Sequence, residues 1–283
     1  MITIKNEFLT AKFSTMGAEL KSLVSGDREY IWQGDPVWWE NSAPVLFPIC
    51  GRLMDDEYIL DGKTYHMDFH GFAHTSEFEV ESLKDNKVTF LLKSNEETLK
   101  CYPFDFEFRV IYSLDERRMS VRFEVTNKGK DTMYFSIGCH EGYSVPEGVE
   151  EYEVAFPQKE TLFSYNLDGS YLDITKQLIL DNDNVIKLKK EYFEVDTLVF
   201  KDIKSRSAIL RKRDGSVAVR VEFDGFSGFM LWQEIGAPFI CMEPWNGLPD
   251  RTYTDKNFKT KEGIEEVAPN STYIRTHSIE ILK

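Results

Sequence analysis

An all-β fold, a large antiparallel β-sandwich, is what this sequence predicts, and three observations carry that reading. Apolar residues recur with period two in one segment after another, as strands with one buried and one wet face require. Turn signals built on Gly, Asn and Asp separate those segments at short intervals. Helical periodicity is nearly absent, with Glu96 to Tyr102 the best short candidate.

Taken in chain order, the first turn signal is Ser25-Gly26-Asp27. Tyr58-Ile59-Leu60 and Lys63-Thr64-Tyr65 then flank Asp61-Gly62, a dipeptide that tolerates positive φ and so closes a two-residue hairpin. Phe104, Phe106, Phe108, Val110 and Tyr112 share one strand face, with Asp105, Glu107 and Arg109 on the other. Asp115-Glu116-Arg117 turns this strand into the next, where Val121, Phe123 and Val125 alternate with Arg122, Glu124 and Thr126 up to the turn at Asn127-Lys128-Gly129. The acidic run from Glu147 to Glu153 reads as a solvated loop and strand start. Asp214-Gly215 precedes a strand presenting Val217, Val219, Val221 and Phe223 on one face. His277 alternates with Ile279 and Ile281 in a terminal strand, which predicts core or edge packing for it. With no linker, repeat or low-complexity tract, residues 1–283 read as one sandwich domain, large enough to hold a ligand on a concave sheet.

Composition narrows the function classes. Hydrophobic residues make up 42%, and 21 Phe with 13 Tyr can fill a sizeable core. No apolar stretch approaches the roughly 20 residues of a membrane-spanning helix, and Met1 to Glu7 lacks the pattern of a signal peptide. The net charge of −14, with no compact Lys/Arg stripe, disfavours nucleic acid and anionic lipid as partners. Cys50, Cys101, Cys139 and Cys241 are scattered in apolar company and read as reduced core thiols of a cytoplasmic protein. A neutral small molecule is the simplest partner.

Few residues offer chemistry. Glu243 stands in Phe239-Ile240-Cys241-Met242-Glu243-Pro244-Trp245, where an apolar strand reads as ending. A carboxylate in such company is costly to desolvate, and partial desolvation raises its pKa towards the working range; the alternative is a strand-end residue facing water. His140 lies between Gly138 and Gly142, either available for proton transfer or satisfied by a backbone carbonyl. Cys139 beside it is a poor nucleophile candidate, because adjacent strand residues point to opposite faces. His66, His70 and His74 are four apart, on one face of a strand if the strand continues. That permits a three-imidazole metal site, but Gly71 interrupts it and no acid or thiol has ligand spacing, so no metal is expected. Arg52, flanked by Gly51 and apolar residues, is either a surface charge or a planar donor to a hydroxyl-rich ligand. Asp196, which opens Thr197-Leu198-Val199-Phe200, either accepts from sugar hydroxyls or starts a turn.

In this order, Gly51-Arg52, His70-Gly71-Phe72, Ser136-Ile137-Gly138-x-His140, Asp196-Thr197-Leu198 and Glu243-Pro244-Trp245 resemble the galactose mutarotase-like family, the aldose 1-epimerases. The likeness is strongest to the branch containing the hexose-6-phosphate mutarotases and runs from about Leu20 to the last strand. It implies a β-supersandwich without metal or cofactor, acting as monomer or homodimer on an aldohexose, free or phosphorylated. It also implies His140 as general acid, Glu243 as general base, and Arg52, His70 and Asp196 as groups that hold the sugar. Two departures bear on substrate choice. Members often have Pro and a small residue after the catalytic His, where this chain has Glu141-Gly142, and often Arg where it has His74. A glycoside hydrolase would ordinarily need two opposed carboxylates, whereas here His stands opposite Glu.

Overall fold

The computed structural model describes residues 1–194 and 196–283. The period-two segments are strands. Phe106–Asp115 and Arg118–Asn127 pair from Phe106↔Asn127 to Asp115↔Arg118, across a turn in which Glu116 takes a φ of 47°. Their Phe, Val and Tyr faces are buried and their charged faces are not. Asp61-Gly62 closes the hairpin Glu57–Leu60 with Lys63–His66, with φ of 51° and 77°, both in the left-handed region that a tight two-residue hairpin needs.

Among the described residues, fifteen strands form one antiparallel sheet. Its order is Val45–Leu46, Ile137–Cys139, Phe239–Asn246, Gly228–Trp232, Leu198–Phe200, Tyr152–Asp168, Ser207–Lys212, Ala218–Glu222, Thr272–Ile281, Arg118–Asn127, Phe106–Asp115, Lys87–Lys93 and Glu79–Lys84. Glu141–Ser144 pairs along Phe239–Asn246, and Tyr171–Lys187 pairs along Tyr152–Asp168. The sheet bends until its two halves face each other. The Phe47 ring, next to the first strand, stacks 4.6 Å from Phe108 of a strand near the far end. Phe108, Phe123, Ile240 and Met242 then belong to one continuous core, the filling of a sandwich. A four-stranded sheet from Ile2 to Glu29 adds to the same core through Ile4, Phe13 and Leu23.

The predicted helix is shorter than its sequence signal, covering Thr98–Cys101; Asn95 caps it by accepting from the Thr98 N–H at 2.9 Å, and Pro103 forbids its extension. The three spaced histidines do not share a strand. The strand ends at His66, which is exposed and bonded to Asp68, while His70 sits in a turn with φ of 64° and His74 in a 3₁₀ turn, Ala73–Thr75. Gly71 forces the break: its φ is 74°, and a Cβ there would lie 2.4 Å from the Phe47 carbonyl oxygen. A three-imidazole metal site is therefore not formed. Glu243 is also not at a strand end, because its strand runs on to Asn246. No helix among the described residues is long and apolar enough to cross a membrane.

Candidate active site

Strand alternation explains which side chains meet. On Phe239–Asn246, Ile240 and Met242 enter the core between the layers, so Cys241, Glu243 and Trp245 face the opposite, open side. The neighbouring segment behaves the same way. Cys139 and Tyr143 enter the core, and His140, at the break between the strands Ile137–Cys139 and Glu141–Ser144, faces the open side. Register brings the two together, through Gly138↔Trp245 on one side of His140 and Glu141↔Met242 on the other. Above this face lies a cavity of about 400 Å³ whose walls include His70, His140, Asp196, Trp232, Glu243 and Trp245.

His140 Nε2 stands 3.5 Å from Glu243 Oε2. Glu243 is 1% exposed, and neither of its oxygens has a hydrogen-bond partner among the described residues; His140 Nδ1 is likewise unpartnered. Burial dominates both groups. It pushes Glu243 well above the usual carboxylate range, with the charges of Glu141 and Asp196 adding to the effect, and pulls His140 down to about 3. Both shifts favour the uncharged forms, a protonated carboxyl 3.5 Å from a neutral imidazole. Trp39 lies 5.0 Å from the His140 ring and Trp232 meets it edge-on at 5.4 Å, giving the cavity aromatic walls.

His70 is locked in one tautomer. Its backbone N–H donates to the Gly51 carbonyl at 3.0 Å, and its ring Nδ1 accepts from the Gly51 N–H at 3.0 Å. Burial keeps the ring neutral, so Nε2 carries the proton and is the donor left for a ligand. Asp196 lines the cavity at the start of Leu198–Phe200, with burial raising its carboxyl and Thr197 Oγ1 donating to it at 3.2 Å. Four of the five site residues read from the sequence thus converge. Arg52 stands just outside, its Nη1 donating to Asp56 at 2.6 Å and its guanidinium 5.0 Å from the ring of Phe69, a wall residue.

The sequence agrees with this geometry. Residues 1–263 match the family model described as aldose 1-epimerase. The chain belongs to the aldose 1-epimerase family. The plasmid-encoded LacX protein of Lactococcus lactis subsp. lactis is 35% identical over 299 residues, covering 99% of each chain. A galactose mutarotase related enzyme from Lactobacillus acidophilus superposes with a TM-score of 0.95 at 35% identity, over 100% of this chain and 97% of that one. A galactose mutarotase-like protein from Lactobacillus casei superposes with a TM-score of 0.94 at 29% identity, over 99% of both chains. Family membership carries the galactose mutarotase-like fold and points to a sugar as ligand.

In this family member Glu141 is not at the imidazole of His140. It points into the core, where Oε1 lies 2.7 Å from His277 Nε2, and His277 Nδ1 lies 3.4 Å from Cys139 Sγ. The thiol also donates to the Pro244 carbonyl at 3.4 Å, while the Trp245 indole N–H donates to the Cys139 carbonyl at 3.0 Å. The residues flanking His140 are thereby tied to those following Glu243. His277 is core, as its alternation predicted, with a polar partner that alternation could not reveal. The site also contains Asn41 and Ser170, isolated polar residues with no sequence signal, together with Thr197 and His74.

Gly138 is required by contact rather than by φ. A Cβ there would lie 2.6 Å from Trp245 Cδ1 and 3.0 Å from Cys50 Sγ. Gly138→Ala is expected to cost about 1–3 kcal/mol in urea unfolding and to displace the Trp245 wall, read as altered tryptophan fluorescence. An unchanged midpoint and spectrum would show that the indole yields freely.

Proposed function

We propose that this protein interconverts the α and β anomers of an aldohexose by acid–base ring opening and reclosure. The observation that carries the reading is the buried His140–Glu243 pair at the floor of a cavity of about 400 Å³, a size within the range of about 300–1,000 Å³ typical of small-ligand sites. In the forward direction Glu243, as carboxylate, takes the proton of the C1 hydroxyl while His140, as imidazolium, delivers one to the ring oxygen. The C1–O5 bond breaks to an open aldehyde. Rotation about C1–C2 and reclosure on the other carbonyl face return both protons.

Ionised and neutral forms of the pair hold the same number of protons, so a single transfer across the 3.5 Å gap converts the resting form to the working one. Sugar hydroxyls entering the cavity supply the hydrogen bonds that Glu243 lacks, which favours its ionised form. His70 Nε2–H and the Asp196 carboxylate hold hydroxyls, Trp39 and Trp232 offer apolar faces to the ring, and Arg52 approaches from the rim by leaving Asp56.

A second reading, a hexose 6-phosphate as substrate, is favoured by one feature. Lys176 Nζ, Lys201 Nζ and Arg251 Cζ lie 4.1, 5.1 and 5.4 Å from the Tyr165 ring centre. Tyr165 packs with Val199 and Trp245, both wall residues. Glu262 pairs with Lys201 and Arg251, leaving the group a net excess of positive charge in an otherwise acidic protein. Polarimetric or NMR anomer exchange on glucose, galactose and glucose 6-phosphate decides. The proposal expects the free hexoses to be faster; the reverse order, with the phosphosugar rate falling about tenfold in Lys176→Ala, transfers it to the phosphosugar. No exchange above the buffer rate on any sugar would leave a binding protein.

The pH profile is a second check. His140 takes a second proton only near its depressed pKa of about 3, and Glu243 loses its proton only above the usual carboxylate range. With Glu141, Asp196, His70 and His74 as the surrounding titratable groups, the acid limb of kcat/KM, measured with a chelator present, is expected near the depressed His140 value of about 3 rather than near the ordinary histidine value of about 6.5. An acid limb near 6.5, with activity lost as pH falls through it, would refute the buried neutral resting pair.

A further inference from the structure

We propose that the floor of the cavity is an inhibitory site for a divalent zinc ion, held by His140, Cys241 and Glu243. One donor atom from each of the three lies within 4.8 Å of the other two. A tetrahedral zinc site with bonds of about 2.0–2.3 Å places its donors about 3.3–3.6 Å apart. The His140 Nε2 to Glu243 Oε2 separation of 3.5 Å already meets that, so the Cys241 thiol needs to close by at most about 1.5 Å. The strand explains the set, since Cys241 and Glu243 are two residues apart on one face and His140 faces them from the adjoining strand break.

A second, independent observation points the same way. Glu243 is fully buried, and neither of its oxygens has a partner among the described residues, a costly arrangement that a bound cation relieves. Imidazole, thiolate and carboxylate together suit a borderline-soft ion rather than Mg²⁺ or Ca²⁺. The fourth position opens to the cavity that His140 and Glu243 line, which also gives the ion its entry path. The other thiol–imidazole–carboxylate group, Cys139, His277 and Glu141, is a poor competitor, because both of its imidazole nitrogens are engaged within the core.

Binding displaces the proton of the Cys241 thiol and that of the Glu243 carboxyl to solvent, and uses the lone pair of neutral His140. Zinc therefore binds more tightly as pH rises. It occupies the acid and the base at once, so on the proposed reading of the site it stops anomer exchange while serving no catalytic role.

The test uses the full chain with Co²⁺ as spectroscopic probe and Zn²⁺ as inhibitor. One equivalent of Co²⁺ is expected to give a thiolate-to-metal charge-transfer band that Cys241→Ala abolishes and Cys139→Ala retains. Zn²⁺ should inhibit anomer exchange reversibly, with EDTA restoring the rate, and Cys241→Ala should weaken the inhibition at least about tenfold. Cys241→Ser, checked for folding by circular dichroism, serves if the alanine variant unfolds. Absence of the band, its survival in Cys241→Ala or its loss in Cys139→Ala would overturn the site. The spectrum does not depend on turnover: a band without anomer exchange retains the zinc site and refutes the epimerase, and exchange without a band does the opposite.

Discussion

Glu243→Gln is expected to lower anomer exchange at least about 10²-fold while leaving the fold intact, and His140→Asn to do the same. Gln keeps the shape and can fill the same space on Phe239–Asn246, but it cannot carry the proton that the pair exchanges. The amide replaces a protonated carboxyl with another uncharged group of the same shape, so the variant should unfold in denaturant within about 1–2 kcal/mol of the parent. That combination, activity lost with stability kept, distinguishes a reacting group from a packing one. Because each ring opening needs a donor and an acceptor together, the double variant should lose little more than either single variant. Near-parental rates in either single variant would dissolve the assignment of acid and base.

The second large effect concerns stability. His277→Ala leaves the Glu141 carboxylate in the core with no cation or imidazole beside it, and removing one member of a buried pair costs about 3–5 kcal/mol. The urea midpoint should fall accordingly with the slope unchanged. Glu141→Gln keeps a hydrogen bond to the ring and should cost only about 1–3 kcal/mol. It has a further readout. Glu141 is one of the charges that hold Glu243 above the usual carboxylate range, so its removal eases ionisation and moves the alkaline limb of kcat/KM to lower pH. A loss under about 1 kcal/mol in His277→Ala would mean that water reaches Glu141 and the pair is not isolated.

Much of this molecule could be read from its residues. Alternation in Phe106–Asp115 and Arg118–Asn127 identified both strands and their buried faces, because a half-buried strand has no other way to arrange its side chains. Asp61-Gly62 and Asp214-Gly215 marked hairpins for an equally local reason. The misreadings concern what lies beyond a strand's own length. Even spacing put His66, His70 and His74 on one face, but the carbonyl of Phe47 packs against Gly71 and turns the chain away. Glu141 follows His140 directly, and alternation puts it on the opposite face, but nothing in the sequence names the histidine 136 residues away that it meets there. Alternation tells which face a side chain occupies and nothing about what covers it. Arg52 shows the same limit, since Asp56 and Phe69 capture it at the rim.

The pairing of Ile137–Cys139 and Glu141–Ser144 with Phe239–Asn246 has a consequence in time as well as in space. On the ribosome, at about 5–20 residues per second, roughly 5–20 s pass between the emergence of His140 and that of Glu243. Throughout that interval the segment carrying His140 has a bare edge, rich in Ile, Cys and Tyr, open to pairing with any other strand. The strand that silences this edge is the one that delivers Glu243. Closing of this edge and arrival of Glu243 are therefore a single event, while the sheet itself is completed only by the later Thr272–Ile281, so recovery of activity during refolding should follow the slowest long-range pairing rather than the early local hairpins.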